Sequence, residues 1–476
     1  MNWRSILSRA AALAALELAF FAVEPTAAVP PRAAPARGPL RVHPANPRYF
    51  TDGTRRPDGS VRAVYLTGSH HWNNLLDSAR LGQPLTNRFD YDGYLAWLAR
   101  WHHNFIRMWC WEVGENDLYY EPALWARTGP GAAADGKPRF DLERFNPEYF
   151  QRLRSRVLAA RDRGIYVAVM LFQGWSIYNH GYGNPWPIHP FNKVNNVNGI
   201  DGDADKDGEG KEVHSLQAPA VTRLQEAYVR KVSDTLNDLD NVLYEITNET
   251  GIWSKDWQYH MIRFIKKYEA TKPKQHPVGI TAFDSGREGS MAALLASPAD
   301  WISPQNDGGS GDYQDDPPAN DGRKVIISDT DHLWGVGGDR VWVWKSFTRG
   351  HQPIYMDPLR KEDWFKITEL EMEGARRAMG HTRRLAERMN LAALTPQPGL
   401  ASTRYCLAKP GTEYLVYLPL GREVTLDLSA ASGKMNVEWM HPTEGTITRA
   451  EAVSGGGEGT FQAPFAGDAV LHLWSH

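Results

Sequence analysis

The sequence has little of what marks disulfide-linked, metal-knuckle or nucleic-acid-binding proteins. Only two cysteines, Cys110 and Cys406, occur among 476 residues, and they lie far apart in the chain. This excludes a disulfide framework and a CxxC metal site. The chain carries 53 Lys and Arg against 56 Asp and Glu, a net charge of −3, so it offers nucleic acid no basic surface.

Two common hydrolase motifs are also missing. The H-E-x-x-H zinc motif of metalloproteases does not occur, and the run GGSGD at 308–312 fails the G-x-S-x-G pattern at its fifth position. A metalloprotease and a serine hydrolase of the nucleophile-elbow type are therefore disfavoured. What the sequence does contain is 18 Trp and 19 Tyr, many for this length. Exposed flat rings suit sugar faces, although most Trp side chains belong to cores.

The N-terminus has the order of an export signal. Arg4 and Arg9 precede an apolar stretch at 10–23, and small residues follow up to Ala28. We expect a signal peptide at 1–28, a Pro- and Ala-rich linker at 29–39, and a secreted or periplasmic protein. The alternative is an uncleaved anchor, but a stretch of about 14 apolar residues is short for a bilayer. We expect no stable membrane span elsewhere.

The middle of the chain predicts a (β/α)8 TIM barrel over residues 40–390. Eight apolar, β-branched runs recur between segments with helical periodicity, which is the pattern of parallel strands covered by helices. The runs are 63–67, 104–111, 165–172, 242–249, 278–283, 301–305, 325–331 and 353–357. A long insertion at 173–216, rich in Gly, Asn and Asp, follows the third run. Loops at the carboxyl ends of barrel strands build the active face.

The last segment, 391–476, predicts a separate small β-sandwich. Short alternating strands occur at 413–418, 424–428, 435–439 and 469–474, and a triple glycine at 455–457 marks a turn between strands. The predicted fold is therefore a TIM barrel followed by an all-β sandwich.

The run VLYEITNETG at 242–251 supplies the best catalytic candidate, Glu249. It follows an apolar strand at the point where that strand should emerge on the catalytic face. A glycosidase needs a protonated carboxyl group for the leaving oxygen, and the adjacent Asn248 can bind the neighbouring sugar hydroxyl. The alternative is that Glu249 caps the next helix.

The second carboxylate is sought three strands later, in VIISDTDHLWG at 325–335. Asp329 and Asp331 have the same strand parity, so both can point to one side. Either residue could be the nucleophile, and the alternative is a turn aspartate or a metal ligand. The residues themselves leave this choice open.

VLYEITNET resembles the signature of family 5 cellulases, in the clan A retaining glycoside hydrolases, with Thr250 where that family usually has Pro. More narrowly, the chain resembles bacterial secreted barrels of the apiosidase type that end in a small β-domain described as collagen-binding. LVYLPLGREVTLDLS at 415–429 and WMHPTEGTIT at 439–448 carry that second likeness. The resemblance implies a secreted bacterial glycoside hydrolase with Glu249 as acid/base and a carboxylate nucleophile after strand seven. The sequence departs from the pattern in having Asp in place of the strand-seven Glu.

Supporting residues follow the first three strands. Arg107 has the parity of Trp109 and Trp111, and in clan A an Arg at this place orients the nucleophile; here it could pair with Asp329. A purely structural ion pair is the alternative. The remaining candidates for a sugar-binding rim, each of which could instead be ordinary packing, are His70, His71, Trp72, Trp175, Tyr178, His180 and Trp334.

Asp203, Asp205, Asp207 and Gly208 have the D-x-D-x-D-G spacing of calcium loops. Position twelve of such a loop would be His214 rather than Glu, so a true EF-hand is not expected. The alternative is a solvated acidic loop. We expect no cofactor for catalysis and treat calcium as a structural ion.

Taken together, the sequence predicts a glycoside hydrolase acting on a poly- or oligosaccharide through two carboxylates. The competing interpretation is a catalytically inactive carbohydrate- or matrix-binding protein that keeps the barrel.

Overall fold

The computed structural model describes residues 34–86, 88–114, 118–284, 289–306, 311–360 and 367–475. The predicted signal peptide at 1–28 and the first part of the predicted linker lie outside these residues. Within the described ranges, no helix combines the length and the apolar character that a membrane span requires.

Eight parallel strands form the barrel, as the sequence predicts. They pair in the order β1-β8-β7-β6-β5-β4-β3-β2. Their bounds are Gly68–His70 (β1), Phe105–Met108 (β2), Tyr166–Gln173 (β3), Val242–Asn248 (β4), Val278–Thr281 (β5), Trp301–Ser303 (β6), Val325–Asp329 (β7) and Gln352–Met356 (β8).

The ring closes between β1 and β2 through Asn104. Its backbone N–H donates to the Thr67 carbonyl at 3.0 Å, and its side-chain oxygen accepts from the Thr67 N–H at 3.0 Å. A Cβ on Gly68 would lie 2.3 Å from the carbonyl oxygen of Phe105. Only glycine therefore allows the two strands to approach this closely.

The first strand begins after the run that predicts it, 63–67. The N–H of Leu66 donates to the side chain of Gln352 at 2.8 Å, and that of Thr67 donates to the side chain of Asn104. Because side chains take these donors, strand pairing starts only at Gly68. His70 consequently lies in the strand rather than in the loop after it.

Seven α-helices occur among the described residues, and most alternate with barrel strands. They are Tyr91–Arg100 (α1), Pro147–Arg161 (α2), Pro219–Leu236 (α3), Lys255–Glu269 (α4), Ser290–Ala296 (α5), Arg340–Thr348 (α6) and Glu369–Arg388 (α7). The described part of the segment between β6 and β7 contains no α-helix.

Local sequence explains the clearest helix ends. The side chain of Asn146 accepts from the N–H of Glu148, Pro147 occupies the first turn of α2, and Gly164 adopts a positive φ of 74° just beyond its end. α7 begins with a capping box in which Thr368 and Glu371 satisfy each other's backbone N–H groups.

The insertion after β3 contains short 3-10 turns rather than long helices, at Gly174–Ser176, Trp186–Ile188, Lys193–Asn195 and Lys211–His214. Further 3-10 turns are Ile252–Ser254, Thr330–His332 and Leu391–Ala393. Antiparallel strand pairs outside the barrel are Arg41–Val42 with Phe50–Thr51, Asp77–Arg80 with Leu118–Glu121, and Trp125–Ala132 with Pro138–Phe145.

The C-terminal part is an antiparallel sandwich, again as predicted. Its six-stranded sheet has the order β9-β10-β11-β16-β13-β14, and β12 pairs with β15 in the second sheet. The strands are Thr395–Pro396 (β9), Cys406–Lys409 (β10), Glu413–Leu418 (β11), Glu423–Asp427 (β12), Lys434–Met440 (β13), Ile447–Ser454 (β14), Glu458–Gln462 (β15) and Ala469–Ser475 (β16).

The sandwich shares a hydrophobic cluster with the barrel helices α6 and α7. Within it, the ring of Trp344 stacks on that of Tyr417 with centroids 6.0 Å apart. Arg388 of α7 donates to Glu438 of β13 at 2.8 Å across the same boundary. Because the apolar contact is continuous, the sandwich covers helix surface that would otherwise face water.

Candidate active site

The carboxyl ends of β2, β4 and β7 bring the charged candidates together at one mouth of the barrel. β2 carries Arg107, β4 ends at Asn248 with Glu249 next, and β7 ends at Asp329. Asp331 lies on the 3-10 turn Thr330–His332 rather than on the strand predicted at 325–331. Parallel barrel strands place such residues on a common face.

Arg107 is fully buried and ties β4 to β7. Its Nε and one Nη donate to both oxygens of Glu245, at 2.8 and 2.5 Å. The same Nη donates to Asn248 Oδ1 at 2.7 Å, and the other Nη donates to Asp329 Oδ2 at 2.8 Å and Asp331 Oδ2 at 2.9 Å. All five N–H donors of the guanidinium are thereby used. Its fixed planar fork sets the relative positions of these four side chains.

Asp329 is fully buried, and its oxygens are taken by protein donors. Besides Arg107, it accepts from His70 Nε2 at 2.9 Å and from the Asp331 N–H at 2.9 Å. Trp109 Nε1 donates to His70 Nδ1 at 2.9 Å, so the ring proton lies on Nε2. Burial raises the pKa of Asp329, but His70 and Arg107 outweigh burial and lower it below its usual range. Asp329 is thus an enclosed carboxylate whose ionised form is stabilised by its neighbours.

Asp331 is the carboxylate that faces Glu249. One oxygen of each group lies within 4.8 Å of the other. Burial and the charge of Asp329 raise the pKa of Asp331 to about 6, against the opposing effect of Arg107. Its Oδ1 accepts no hydrogen bond from the described residues, which leaves that atom available to a ligand.

Glu249 is held in a left-handed backbone conformation, with φ of 37°, that non-glycine residues rarely adopt. Strain of this kind is concentrated at functional sites. Trp175 Nε1 donates to Glu249 Oε2 at 2.7 Å. Burial and the charge of Asp331 raise the pKa of Glu249 well above its usual range, and the Trp175 hydrogen bond opposes them. The protonated form of the Glu249 carboxyl group is therefore favoured over the ionised form.

Gly174, at the start of the loop after β3, makes this backbone geometry sterically feasible. A Cβ at this position would lie 2.3 Å from the carbonyl oxygen of Glu249 and 2.7 Å from that of Asn248. Any larger residue would push the end of β4 away from β3.

Asn248 presents its amide nitrogen as a free donor. Its Oδ1 accepts from Arg107, which fixes the orientation of the amide because arginine only donates. Its Nδ2 is buried without a hydrogen-bond partner among the described residues. An unpaired buried donor beside two facing carboxylates is suited to a ligand hydroxyl.

His332 contacts the same group but is not available to a metal. Its Nε2 lies 3.1 Å from Asn248 Oδ1, which as an amide oxygen only accepts, so Nε2 carries the proton. Its Nδ1 lies 2.8 Å from the hydroxyl of Ser303. Both nitrogens are occupied, and the nearby Arg107 cation disfavours a second positive charge at Asp331.

Aromatic side chains from the insertion border Glu249. The ring of Trp175 stacks on that of His180 with centroids 4.5 Å apart, and the ring centroid of Tyr178 lies 4.0 Å from that of His180. His180 Nδ1 also lies 3.1 Å from Asp284. Tyr182, which is not among the residues predicted from the sequence, extends this row and is 63% exposed.

A second aromatic group follows β1 and β2. Trp109 stacks on Trp111 at 5.8 Å, and Trp111 Nε1 donates to the carbonyl of Trp72 at 3.0 Å. His71 stacks on Trp72 at 4.4 Å. Trp109 is almost completely buried, so it supports His70 rather than offering a ring to a ligand.

Trp334 lies just after the turn that carries Asp331 and is 38% exposed. It lines a cleft of about 580 Å³ together with Gln314, Asp339, Trp342 and Lys345. Of all the aromatic candidates in the prediction, it is the one with the most open ring surface.

The predicted metal residues are only partly brought together. Carboxylate oxygens of Asp203 and Asp205 lie within 4.8 Å of each other and of Glu212. Asp207 does not belong to this group; its Oδ1 accepts from the N–H of Glu209 at 2.8 Å. The third carboxylate is therefore Glu212, which the spacing motif does not select.

Two further residues at the barrel mouth are given no role by the sequence patterns, although Glu245 lies within the VLYEITNET run. Glu245 holds Arg107, and the signal for it is a charged residue within a run that is otherwise buried. Glu112 follows β2, and its Oε2 is buried without a partner among the described residues. Burial raises the pKa of Glu112 to about 7. No sequence pattern distinguishes Glu112 from a surface acid.

Comparison with known families matches two parts of the chain. Residues 91–291 match a domain of unknown function, DUF6298, and residues 397–473 match the family described as "Putative collagen-binding domain of a collagenase". A comparison with curated proteins finds no match.

Solved structures share the whole architecture. One, titled glycoside hydrolase, is 15% identical with a TM-score of 0.59 over 92% of this chain and 97% of the other. A glycoside hydrolase family 5 structure from Bacteroides vulgatus ATCC 8482 is also 15% identical, with a TM-score of 0.60 over 93% and 95%. At this level of identity the similarity establishes the fold, a TIM barrel with a C-terminal sandwich.

Proposed function

We propose that this protein is a retaining glycoside hydrolase in which Glu249 is the general acid/base and Asp331 is the nucleophile. The observation that carries the proposal is the pair itself: two carboxyl groups with oxygens within 4.8 Å, one with a strongly raised pKa and one held by Arg107. Retaining glycosidases separate their carboxyl groups by about 5–5.5 Å, and inverting ones by about 6.5–9.5 Å.

In this proposal each of the two groups has a distinct role in a double displacement. In the first step Asp331 Oδ1 attacks the anomeric carbon, the bond to the leaving oxygen breaks, and that oxygen takes the proton of Glu249. In the second step Glu249 removes a proton from water, the water oxygen attacks the same carbon, and Asp331 is released. Two inversions at one carbon retain the configuration.

Asn248 and Arg107 complete the arrangement. The free Nδ2 of Asn248 can donate to the sugar hydroxyl next to the reacting carbon. Arg107 holds Asp331 by one hydrogen bond only, so the second oxygen of Asp331 stays free for attack. A carboxylate fixed in this way loses little freedom on reaching the transition state.

Asp329, the other nucleophile candidate from the sequence, serves as a positioning residue in this proposal. Its oxygens accept from His70, Arg107 and the Asp331 N–H, and its side chain is completely buried. To attack a sugar it would have to give up these bonds. Its carboxylate instead orients Arg107 and the turn that carries Asp331 through these hydrogen bonds.

The proposed chemistry predicts a bell-shaped dependence of kcat/KM on pH. Activity requires Asp331 ionised and Glu249 protonated. The acid limb therefore follows the pKa of Asp331, about 6, and the alkaline limb follows the raised pKa of Glu249. The two groups are neighbours, so the limbs belong to the pair.

The experiment is a screen of aryl glycosides and of plant and bacterial polysaccharides, followed by three variants. Asp331→Asn should lose activity on every substrate. Glu249→Gln should lose activity on poor leaving groups far more than on activated aryl glycosides, because the latter need little proton assistance. Asp329→Asn should keep measurable turnover. An active Asp331→Asn beside a dead Asp329→Asn would move the nucleophile to Asp329.

A covalent intermediate provides an independent check. A 2-fluoro glycoside of the sugar found in the screen should add one sugar mass to the peptide that contains Asp331. Binding of polysaccharide without turnover and without this adduct would support the competing interpretation, a carbohydrate-binding protein on an inactive barrel. Secretion is part of the proposal, and the N-terminal sequence of exported protein tests it.

A further inference from the structure

The acidic loop in the insertion after β3 gathers three carboxylates that form no ion pair with any described residue. Asp203 and Asp205 come from the loop itself, and the 3-10 turn Lys211–His214 brings Glu212 back towards them. One oxygen of each residue lies within 4.8 Å of the others. Lys211, the adjacent cation, forms its ion pair with Glu209 instead.

Glu212 is the feature that points to a ligand. It is only 8% exposed, and its Oε2 is buried without a hydrogen-bond partner among the described residues. Asp203 Oδ1 is buried and unpartnered in the same way. A buried carboxylate without a partner is costly, and a bound cation removes that cost.

We propose that Asp203, Asp205 and Glu212 bind a calcium ion that holds the insertion in place. Calcium binds oxygen ligands at 2.3–2.6 Å, so two oxygens on one ion lie at most about 5 Å apart, which the group satisfies. The group offers only carboxylate oxygens, the ligands of hard cations. Such a set favours calcium over zinc, whose structural sites are built from Cys and His side chains.

The site is connected to the proposed catalytic acid through a short series of contacts. The carbonyl of Glu209, inside the loop, accepts from the N–H of Tyr178 at 2.8 Å. Tyr178 packs on His180, which stacks on Trp175, and Trp175 donates to Glu249. Calcium therefore orders the segment that supplies the indole hydrogen bond to Glu249.

Titration of the full chain with calcium chloride tests the proposal without any sugar, so its outcome is independent of the proposed activity. After treatment with EDTA, calorimetry should show saturable binding of one calcium ion, and Tm should rise with calcium concentration. Magnesium chloride should bind more weakly, since magnesium demands near-ideal octahedral geometry. Absence of both heat and a Tm change at millimolar calcium would overturn the proposal.

Three variants define which carboxylates bind the ion. Glu212→Gln and Asp203→Asn should each raise the Kd for calcium at least about tenfold, because each removes a charged ligand. The matched control is Asp207→Asn, which removes a charge from the same loop outside the group and should change the Kd by less than about threefold. A large loss of calcium affinity in Asp207→Asn, with no loss in Glu212→Gln, would overturn the assignment of Glu212.

The melting temperature without metal provides a second test, in which Glu212→Gln should stabilise the protein rather than weaken it. In EDTA, Glu212→Gln should have a higher Tm than the wild type, because it removes an unpaired buried charge. In saturating calcium the order should reverse. A variant that is less stable than the wild type in EDTA would show that Glu212 has a structural partner and that the proposal is wrong.

Discussion

The hydrogen bond from Trp175 to Glu249 leads to a prediction that can be tested without a substrate. Trp175→Phe keeps an aromatic ring beside His180 but removes the N–H group that donates to Glu249 Oε2 at 2.7 Å. That donor stabilises the ionised carboxylate more than the neutral acid. The pKa of Glu249, already raised by burial and by Asp331, should therefore rise further.

The size of the rise follows from hydrogen-bond energetics. A hydrogen bond to a charged acceptor contributes about 1.5–3 kcal/mol, against about 0.5–1.5 kcal/mol for a neutral one. The ionised form of Glu249 thus loses about 1–1.5 kcal/mol more than the protonated form. At about 1.4 kcal/mol per pKa unit, the expected shift is about one unit upward.

The measurement is a pH titration of protein labelled with ¹³C at the glutamate side-chain carboxyl carbon, followed by NMR. Glu249→Gln identifies the signal by its disappearance. The control is Trp111→Phe, which removes an indole N–H that donates to the backbone carbonyl of Trp72 and should leave the titration of Glu249 in place. A downward shift, or none, in Trp175→Phe would refute the view that this indole stabilises the charged form.

Three further predictions concern stability. Gly174→Ala should lower the free energy of unfolding by about 1–3 kcal/mol and reduce activity, because the added Cβ would lie 2.3 Å from a carbonyl oxygen. The control in thermal melting is Gly399→Ala, whose added Cβ would have no neighbouring atom within 4 Å. Arg107→Lys should lower the free energy of unfolding, measured in urea, by about 3–5 kcal/mol, because it leaves buried carboxylates with too few hydrogen-bond donors. The control is Arg154→Lys in an exposed ion pair, which should lower it by less than about 1 kcal/mol. Burial lowers the pKa of His472, but two glutamates outweigh it and raise the pKa above 6.5. Its stabilisation is therefore fully present below pH 6.5 and lost as pH rises through the folded value, and His472→Gln should flatten this part of the stability profile.

Much of the architecture could be predicted because it depends on local patterns. The eight buried runs are continuous and apolar since parallel barrel strands are covered on both faces, and the helix from Pro147 begins and ends at residues with strong local preferences. Glu249 could be selected for a related reason, since it is the acid at the carboxyl end of a buried strand. The first strand could not be placed, because Gln352 and Asn104 from distant segments take the N–H groups that a strand would have used.

The sequence by itself therefore determined the fold class, the insertion and the end of the barrel on which the candidate residues lie, whereas the tertiary structure decided which side chains meet. Asp329 and Asp331 have equal parity in the sequence, but the strand ends at Asp329. His70 from another strand forms a hydrogen bond with Asp329, whereas Asp331 faces Glu249. In the same way, linear spacing selects Asp207, while a 3-10 turn folds Glu212 into the group. Distances across space depend on how separate segments pack, and no local pattern encodes that packing.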